Sequence, residues 1–98
     1  MIFVTVGSQL PFDRMTSAVV AWARAHGRSD VFLQTGDSAV DVTGFESVRM
    51  LDSAGIQRQF DRASVVVAHA GTGTMIECML RGTPVIVMPR SAALHETR

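Results

Sequence analysis

The chain has 98 residues, 47% of them hydrophobic, and its nine basic and nine acidic residues cancel to a formal net charge of zero. This length is typical of one small globular domain, and the apolar fraction excludes a disordered chain. The balanced charge gives no reason to expect binding to nucleic acid or to an acidic membrane, and it favours self-association or a partner.

The single cysteine, Cys78, excludes an internal disulfide and fits a reducing compartment. Because it lies in an apolar helical pattern, core packing is a better interpretation than a reactive thiol. The apolar N-terminus is too short to span a membrane and lacks a basic start, so we expect neither a signal peptide nor a transmembrane segment. The sequence thus predicts a cytoplasmic protein whose membrane attachment, if any, comes through another chain.

A first strand is predicted for the apolar run 2–6, which Gly7 ends. A loop of Gly7, Ser8 and Gln9 follows at the carboxyl end of this strand, the edge where open α/β sheets bind their ligands. Two interpretations of this loop stay open: a turn with a serine cap, or a loop that faces a phosphate or sugar.

A helix is expected to begin at Pro11 or Asp13 and to end at Gly27. Its apolar stripe at helical spacing consists of Met15, Ala18, Val19, Trp22 and Ala23. This pattern places Trp22 in the core rather than on a ligand platform.

Residues 30–36 form the second predicted strand, and residues 47–51 form a weaker one. Asp52 or Ser53 can cap the next helix. The expected apolar face of that helix comprises Ile56, Phe60 and Ala63. Its expected solvated face comprises Gln57, Arg58, Gln59, Asp61 and Arg62.

Residues 64–68 are a β-branched strand that leads into the loop around Gly71 and Gly73. The following helical pattern runs from residue 74 to 81, and a short strand at 84–89 lies between two prolines. The helix directs Met75, Cys78 and Met79 towards one side. The tail, residues 90–98, is loop-like or the start of a helix.

Alternation of strands and helices predicts βαβ units and a parallel sheet covered by helices. The loops at Gly7 and Gly71 then meet at the carboxyl edge of that sheet. Thr72 and Thr74 can cap the new helix, whose first amides have no partners within the helix. Small residues beside free amides at a helix N-terminus form a natural phosphate site.

Several common sites are excluded by the residues present. Neither glycine loop contains the lysine of a Walker loop, and the third position of a dinucleotide fingerprint is occupied by Ile76. His69, His95 and Glu96 are the only candidate metal ligands, and their spacing does not favour a metal site. No nucleophile elbow or catalytic triad is visible, so no catalytic residue is assigned.

Glu77, one helical turn beyond Gly73, has two interpretations. Its carboxylate can accept hydrogen bonds from vicinal hydroxyls, as on a ribose, or it can be a first-turn glutamate favoured by the helix dipole. His69, at a strand end, likewise either faces a ligand or bonds a backbone carbonyl.

Residues 1–13 and the segment from Phe60 through the HAGTGT stretch to Arg90 resemble the donor-binding subunit of two-component UDP-N-acetylglucosamine transferases. The MurG-like peptidoglycan enzymes carry a related C-terminal half, and bacterial relatives act in exopolysaccharide synthesis. The resemblance implies an α/β Rossmann-like parallel sheet with helices on both faces, the C-terminal half of a GT-B glycosyltransferase.

The resemblance also implies roles. Gly71, Thr72, Gly73 and Thr74 would face the diphosphate, Glu77 would hold the ribose, and Gly7, Ser8 and Gln9 would line the same cleft. His69, Arg90 and His95 complete the expected substrate-binding set. Such enzymes generally need no metal and no cofactor, and helix-end amides stabilise the departing UDP.

A partner chain, often membrane-bound, would supply the acceptor-binding half at the inner face of the membrane. Family members usually continue for some tens of residues beyond Arg98, so the chain resembles a fragment or a short variant. The expected activity is inverting transfer of a hexose to a lipid-linked acceptor. The alternative is a non-catalytic nucleotide-sugar-binding or self-associating module. A relation to UDP-N-acetylglucosamine epimerases is less favoured, because those enzymes are longer single chains with two domains.

Overall fold

The computed structural model of the protein describes residues 1–7 and 10–97. Within these residues five strands form one parallel sheet. The strands are β1 (Ile2–Thr5), β2 (Val31–Gln34), β3 (Glu46–Val48), β4 (Val65–His69) and β5 (Val85–Met88). The helices are α1 (Asp13–Ala25), α2 (Ser53–Arg62) and α3 (Thr72–Arg81), and a 3-10 turn, Ala92–Leu94, follows β5.

The order of strands across the sheet is β3-β2-β1-β4-β5, so β1 lies at the centre. It pairs with β2 from Ile2↔Val31 to Thr5↔Gln34 and with β4 from Ile2↔Val65 to Thr5↔Ala68. All pairings are parallel, which brings the carboxyl ends of the strands to one edge. The predicted α/β Rossmann-like sheet is confirmed.

Helices cover both faces, as predicted. On one face α1 packs through Met15, Val20 and Ala23 against alternate side chains of β1 and β2. On the other face, Phe3 of β1 packs edge-on against Phe60 of α2, with 5.4 Å between ring centroids. Cys78 of α3 completes this second core and is 1% exposed. Burial raises the pKa of the Cys78 thiol, which agrees with core packing rather than a reactive thiolate.

Four predictions about helix faces are wrong. Ala18, expected on the apolar stripe of α1, is exposed. Trp22 is 43% exposed and stacks on His26 instead of lying in the core, because it borders an open groove over β4 and β5. Met79 is 79% exposed, since α3 packs through Cys78 near the edge of the sheet. Gln59, expected in solvent, is buried at the start of the last turn of α2.

The element bounds also differ from the sequence-based prediction at several ends. The third strand ends at Val48, so Met50 and Leu51 belong to the loop that leads to α2. Asp52 caps α2 as expected, because its side chain accepts a hydrogen bond from the Gly55 amide at 2.7 Å.

Among the described residues, no helix is long and apolar enough to cross a membrane.

A groove of about 510 Å³ lies beside α1, on the face of the sheet where β4 and β5 extend beyond that helix. Its walls include Val67, Ile86 and Trp22. Ile86 is 60% exposed there, although it sits in a β-strand. This apolar groove is thus open to solvent in the isolated chain.

Candidate functional site

The two glycine turns meet at the carboxyl edge of the sheet. Because Thr5 pairs with Ala68, Gly7 after β1 and Gly71 after β4 come to the same level. Gly7 has a φ of +80°, a backbone conformation that side-chain-bearing residues rarely adopt. The turn after β1 is fixed further by the Gly7 amide, which donates to the Thr5 hydroxyl at 3.2 Å.

The imidazole of His69 lies between these two glycines. A Cβ added at Gly7 would fall 2.5 Å from Nε2 of His69, and one added at Gly71 would fall 2.5 Å from Cε1. Neither position has room for a side chain, so both glycines make space for the ring. Gly71 was expected to face a diphosphate, whereas the contact seen is with a neighbouring side chain.

The surroundings of His69 disfavour the protonated form of its imidazole. Burial, and then the nearby charge of Arg90, lower the pKa of the imidazole from the ordinary value of 6.5. Within residues 1–7 and 10–97 its ring makes no hydrogen bond to a backbone carbonyl. His69 lines a pocket at the edge of the sheet.

This first pocket has a volume of about 400 Å³. Its walls come from both glycine turns, the start of α3 and the tail. The lining residues are Val6, Gly7, Leu10, His69, Gly71, Gly73, Thr74, Arg90, Glu96 and Thr97. Six of them belong to the predicted substrate-binding set: Gly7, His69, Gly71, Gly73, Thr74 and Arg90.

The N-terminus of α3 points its amides to this region. The helix begins at Thr72, and its N-cap is Gly71, without a side-chain cap hydrogen bond. The predicted capping by threonine is therefore wrong, because Thr72 and Thr74 lie inside the helix. The Met75 amide donates to the Gly71 carbonyl at 3.2 Å, so the amides of the three preceding residues come before the first helical bond.

A second pocket of about 360 Å³ adjoins the first on the other side of the α3 N-terminus. The two share Gly7, Gly73 and Thr74. Apolar and polar residues both line it. The lining residues not shared with the first pocket are Phe3, Thr5, Gln34, Met50, Leu51, Ile56, Gln57, Phe60 and Glu77.

Arg81 holds two polar residues that line this second pocket, Glu77 and Gln57. Its Nε donates to the Glu77 carboxylate at 3.3 Å, while its two terminal nitrogens bond Asp61 and Gln57. The guanidinium also lies over the Phe60 ring, 5.6 Å from the centroid. The side chain of Glu77 is thus held in place and is 35% exposed. Its carboxylate oxygens can accept further hydrogen bonds from a ligand.

Some predicted site residues lie elsewhere. Thr72 and His95 are exposed and line neither pocket. His95 adopts a left-handed backbone conformation, with a φ of 57°, after the 3-10 turn. Ser8 and Gln9 lie outside the described residues, and nothing is concluded about them. Among the described residues no three His, Cys, Asp or Glu side chains cluster closely enough to hold a metal ion.

Sequence reasoning missed several lining residues. Met50 and Leu51 were assigned to a strand, and Gln57 to a solvated face, yet all three line the second pocket. Gln34 ends β2 and could have been identified from its place at the carboxyl edge. Glu96 was considered as a candidate metal ligand, and its place in the first pocket depends on the fold of the tail.

The comparison with known families agrees with this geometry. The family model of the glycosyltransferase family 28 C-terminal domain matches residues 1–97 of the chain. The chain belongs to this family. None of the curated proteins compared with this chain matches it.

A solved structure supports the fold of this family 28 domain. The crystal structure of a glycotransferase of kitacinnamycin superposes with a TM-score of 0.69 at 21% sequence identity. The alignment covers 92% of the present chain and 24% of that protein. The architecture is therefore that of a GT-B glycosyltransferase C-terminal domain, and the chain spans about a quarter of the matched protein.

We predict that Gly71→Ala destabilises the protein by about 1–3 kcal/mol, because the new Cβ must displace the His69 ring. Gly73→Ala is the matched control: nothing lies within 4 Å of its added Cβ, and it should stabilise by about 0.5 kcal/mol. Urea unfolding measures both. In a His69→Ala background the cost of Gly71→Ala should largely disappear. An equal cost in both backgrounds would contradict the packing described.

We predict that the imidazole of His69 titrates below pH 6.5, since burial and Arg90 lower its pKa. The unfolded chain then binds this proton more readily than the folded protein. The contribution of the neutral imidazole to the free energy of unfolding is fully present above pH 6.5. It is lost as the pH falls through the pKa of His69 in the folded protein. NMR titration gives the midpoint, and wild type should lose stability relative to His69→Asn on acidification. A midpoint at or above 6.5 would contradict the prediction.

Proposed function

We propose that this domain binds the donor UDP-N-acetylglucosamine for a glycosyltransferase that transfers the hexose, with inversion, to a lipid-linked acceptor. The observation that carries the proposal is the pair of adjoining pockets that share Gly7, Gly73 and Thr74. One pocket ends at a fixed carboxylate, and the other lies between a helix N-terminus and an arginine. Such a pair matches the two ends of a nucleotide sugar.

The second pocket suits the nucleoside. Apolar side chains such as Phe3, Met50 and Leu51 offer surface to a planar base, and amides of Gln34 and Gln57 lie at the same cavity. The Glu77 carboxylate, held by Arg81, can accept two hydrogen bonds from the ribose hydroxyls. This geometry supports the ribose interpretation of Glu77 over that of a dipole-favoured glutamate alone, since the side chain lines the cavity.

The first pocket suits the diphosphate and the sugar. The free amides at the start of α3 and the charge of Arg90 both favour an anion there. Because the same groups stabilise the charge that develops on a departing UDP, transfer would proceed without a metal ion. Neutral His69 adds a ring nitrogen that can donate to a phosphate or sugar oxygen. We assign no catalytic base to this chain.

A partner chain would present the acceptor at the membrane surface. The open apolar groove beside α1, with Ile86 60% exposed, supports a protein-binding face away from the donor pockets. The same groove favours a second candidate function, a module that self-associates through this face and binds nucleotide sugar without transferring it.

We predict that UDP binds the wild-type domain in the presence of EDTA and that Glu77→Gln weakens this binding about tenfold, because a charged acceptor is lost. Wild type should prefer UDP over 2′-deoxy-UDP, and Glu77→Gln should lose that preference. Glu46→Gln, on exposed β3, is the matched control and should leave both unchanged. Calorimetry measures the affinities.

Absence of any amide shift near Gly71 with UDP and with UDP-N-acetylglucosamine would contradict the proposed donor. Equal affinity of wild type for UDP and 2′-deoxy-UDP would contradict the role of Glu77 alone. Loss of UDP binding on addition of EDTA would contradict a metal-independent site.

We predict that the self-associating module, if correct, is dimeric at high concentration and that Ile86→Lys weakens the dimer about tenfold or more by charging the groove. Leu80→Lys is the control, since Leu80 is 79% exposed on α3 and does not line the groove. Sedimentation over a dilution series measures the association. A monomer at every concentration that still binds UDP would exclude this second function.

A further inference from the structure

The guanidinium of Arg90 is hydrogen-bonded to the main chain through both of its terminal nitrogens. One terminal nitrogen donates to the carbonyls of Pro11 and Glu96, both at 3.0 Å. The other donates to the carbonyls of Val6 and Leu10, both at 2.8 Å. A guanidinium has five N–H donors, so at most one is left for a ligand.

This pattern argues against a direct phosphate clamp. Arginine holds phosphate best through two parallel N–H groups, and here both terminal nitrogens are engaged by carbonyls. The guanidinium also lies over the Phe12 ring, 4.8 Å from its centroid, and Phe12 is fully buried. The side chain is therefore fixed on one face by stacking and at its edges by hydrogen bonds.

The four carbonyls belong to two separate segments of the chain. Val6, Leu10 and Pro11 flank the turn between β1 and α1, and Glu96 lies in the tail. Both segments line the first pocket, through Val6, Gly7 and Leu10 on one side and Glu96 and Thr97 on the other.

The tail has a second attachment beside this one. The Glu96 carboxylate accepts two hydrogen bonds from Arg14 of α1, both at 2.9 Å, and one from the Ser91 amide at 2.8 Å. These contacts hold the side chain of Glu96, whereas Arg90 holds its carbonyl. Arg90 is thus the residue that joins the tail to the β1–α1 loop.

We infer that Arg90 is a positioning residue of the donor site, which fixes the β1–α1 loop and the tail as two walls of the first pocket through their main-chain carbonyls. This inference rests on the proposed function. It differs from a contact of Arg90 with the donor, because the arginine acts through the chain segments that it holds.

Arg90→Lys tests the inference, because lysine keeps the charge but presents one compact ammonium that cannot bond four carbonyls in two directions. We expect Arg90→Lys and Arg90→Gln to weaken UDP-N-acetylglucosamine binding similarly, by about tenfold. Amides at residues 6–7, 10 and 91–97 should exchange faster with solvent. Arg58→Lys, on the exposed face of α2, is the matched control and should change neither.

Affinity is measured below the unfolding temperature of each variant. If Arg90 contributed only to global stability, the affinity of the folded protein would stay unchanged. Phe12→Leu is a second, milder variant that removes the stacking surface and keeps all four carbonyls. It should shift affinity and exchange in the same direction by a smaller factor. Millimolar guanidinium should partly restore binding to Arg90→Ala.

Wild-type affinity in Arg90→Lys, with loss only in Arg90→Gln, would overturn the inference and indicate direct action of the charge. Wild-type affinity in both variants would overturn it as well. In either case the proposed function survives, because wild type binds the donor. Failure of wild type to bind UDP-N-acetylglucosamine or UDP would instead overturn the proposed function and, with it, this inference.

Discussion

The parallel pairing of β1 with β4 is the constraint on which the site depends. It aligns Thr5 with Ala68 at the centre of the sheet, so the turns that follow both strands come together at one edge. A shift of register by one residue would send the core side chains of β4 to the opposite face. The apolar packing on both faces of β1 therefore also fixes the relative height of Gly7 and Gly71.

The His69 ring occupies the space between these two turns. Both glycines lack the side chain that would collide with it, and the ring in turn forms part of the pocket wall. The same three residues thus pack against one another and line the first pocket. The lowered pKa of His69 follows from this position, because partial burial beside the Arg90 charge disfavours the imidazolium.

The remaining walls are held by arginines that join distant segments. Arg81 connects α3 to α2 at the second pocket, and Arg90 connects the tail to the β1–α1 loop at the first. Loops at the edge of a sheet have carbonyls that the ladder does not satisfy, and a guanidinium can bond several at once.

The resemblance to two-component UDP-N-acetylglucosamine transferases is confirmed as far as the glycosyltransferase family 28 C-terminal domain and the GT-B fold.

The sequence by itself determined three features: the strands, their arrangement in a parallel sheet, and the meeting of two glycine turns at one edge of that sheet. Those features follow from local pattern: β-branched runs, glycines at strand ends and the alternation of strand and helix. It also singled out Glu77 and His69, because both lie next to the glycine loop in the chain.

Only the tertiary structure decided which side chains share a pocket and which stay in solvent. Trp22 and Met79 fit an apolar stripe but stay exposed, because a helical pattern does not record which strands the helix covers. The contacts of Arg90 were equally hidden, since the carbonyls it bonds are backbone groups present at every residue. Their convergence on one guanidinium arises when residues about 80 positions apart are brought together by the sheet.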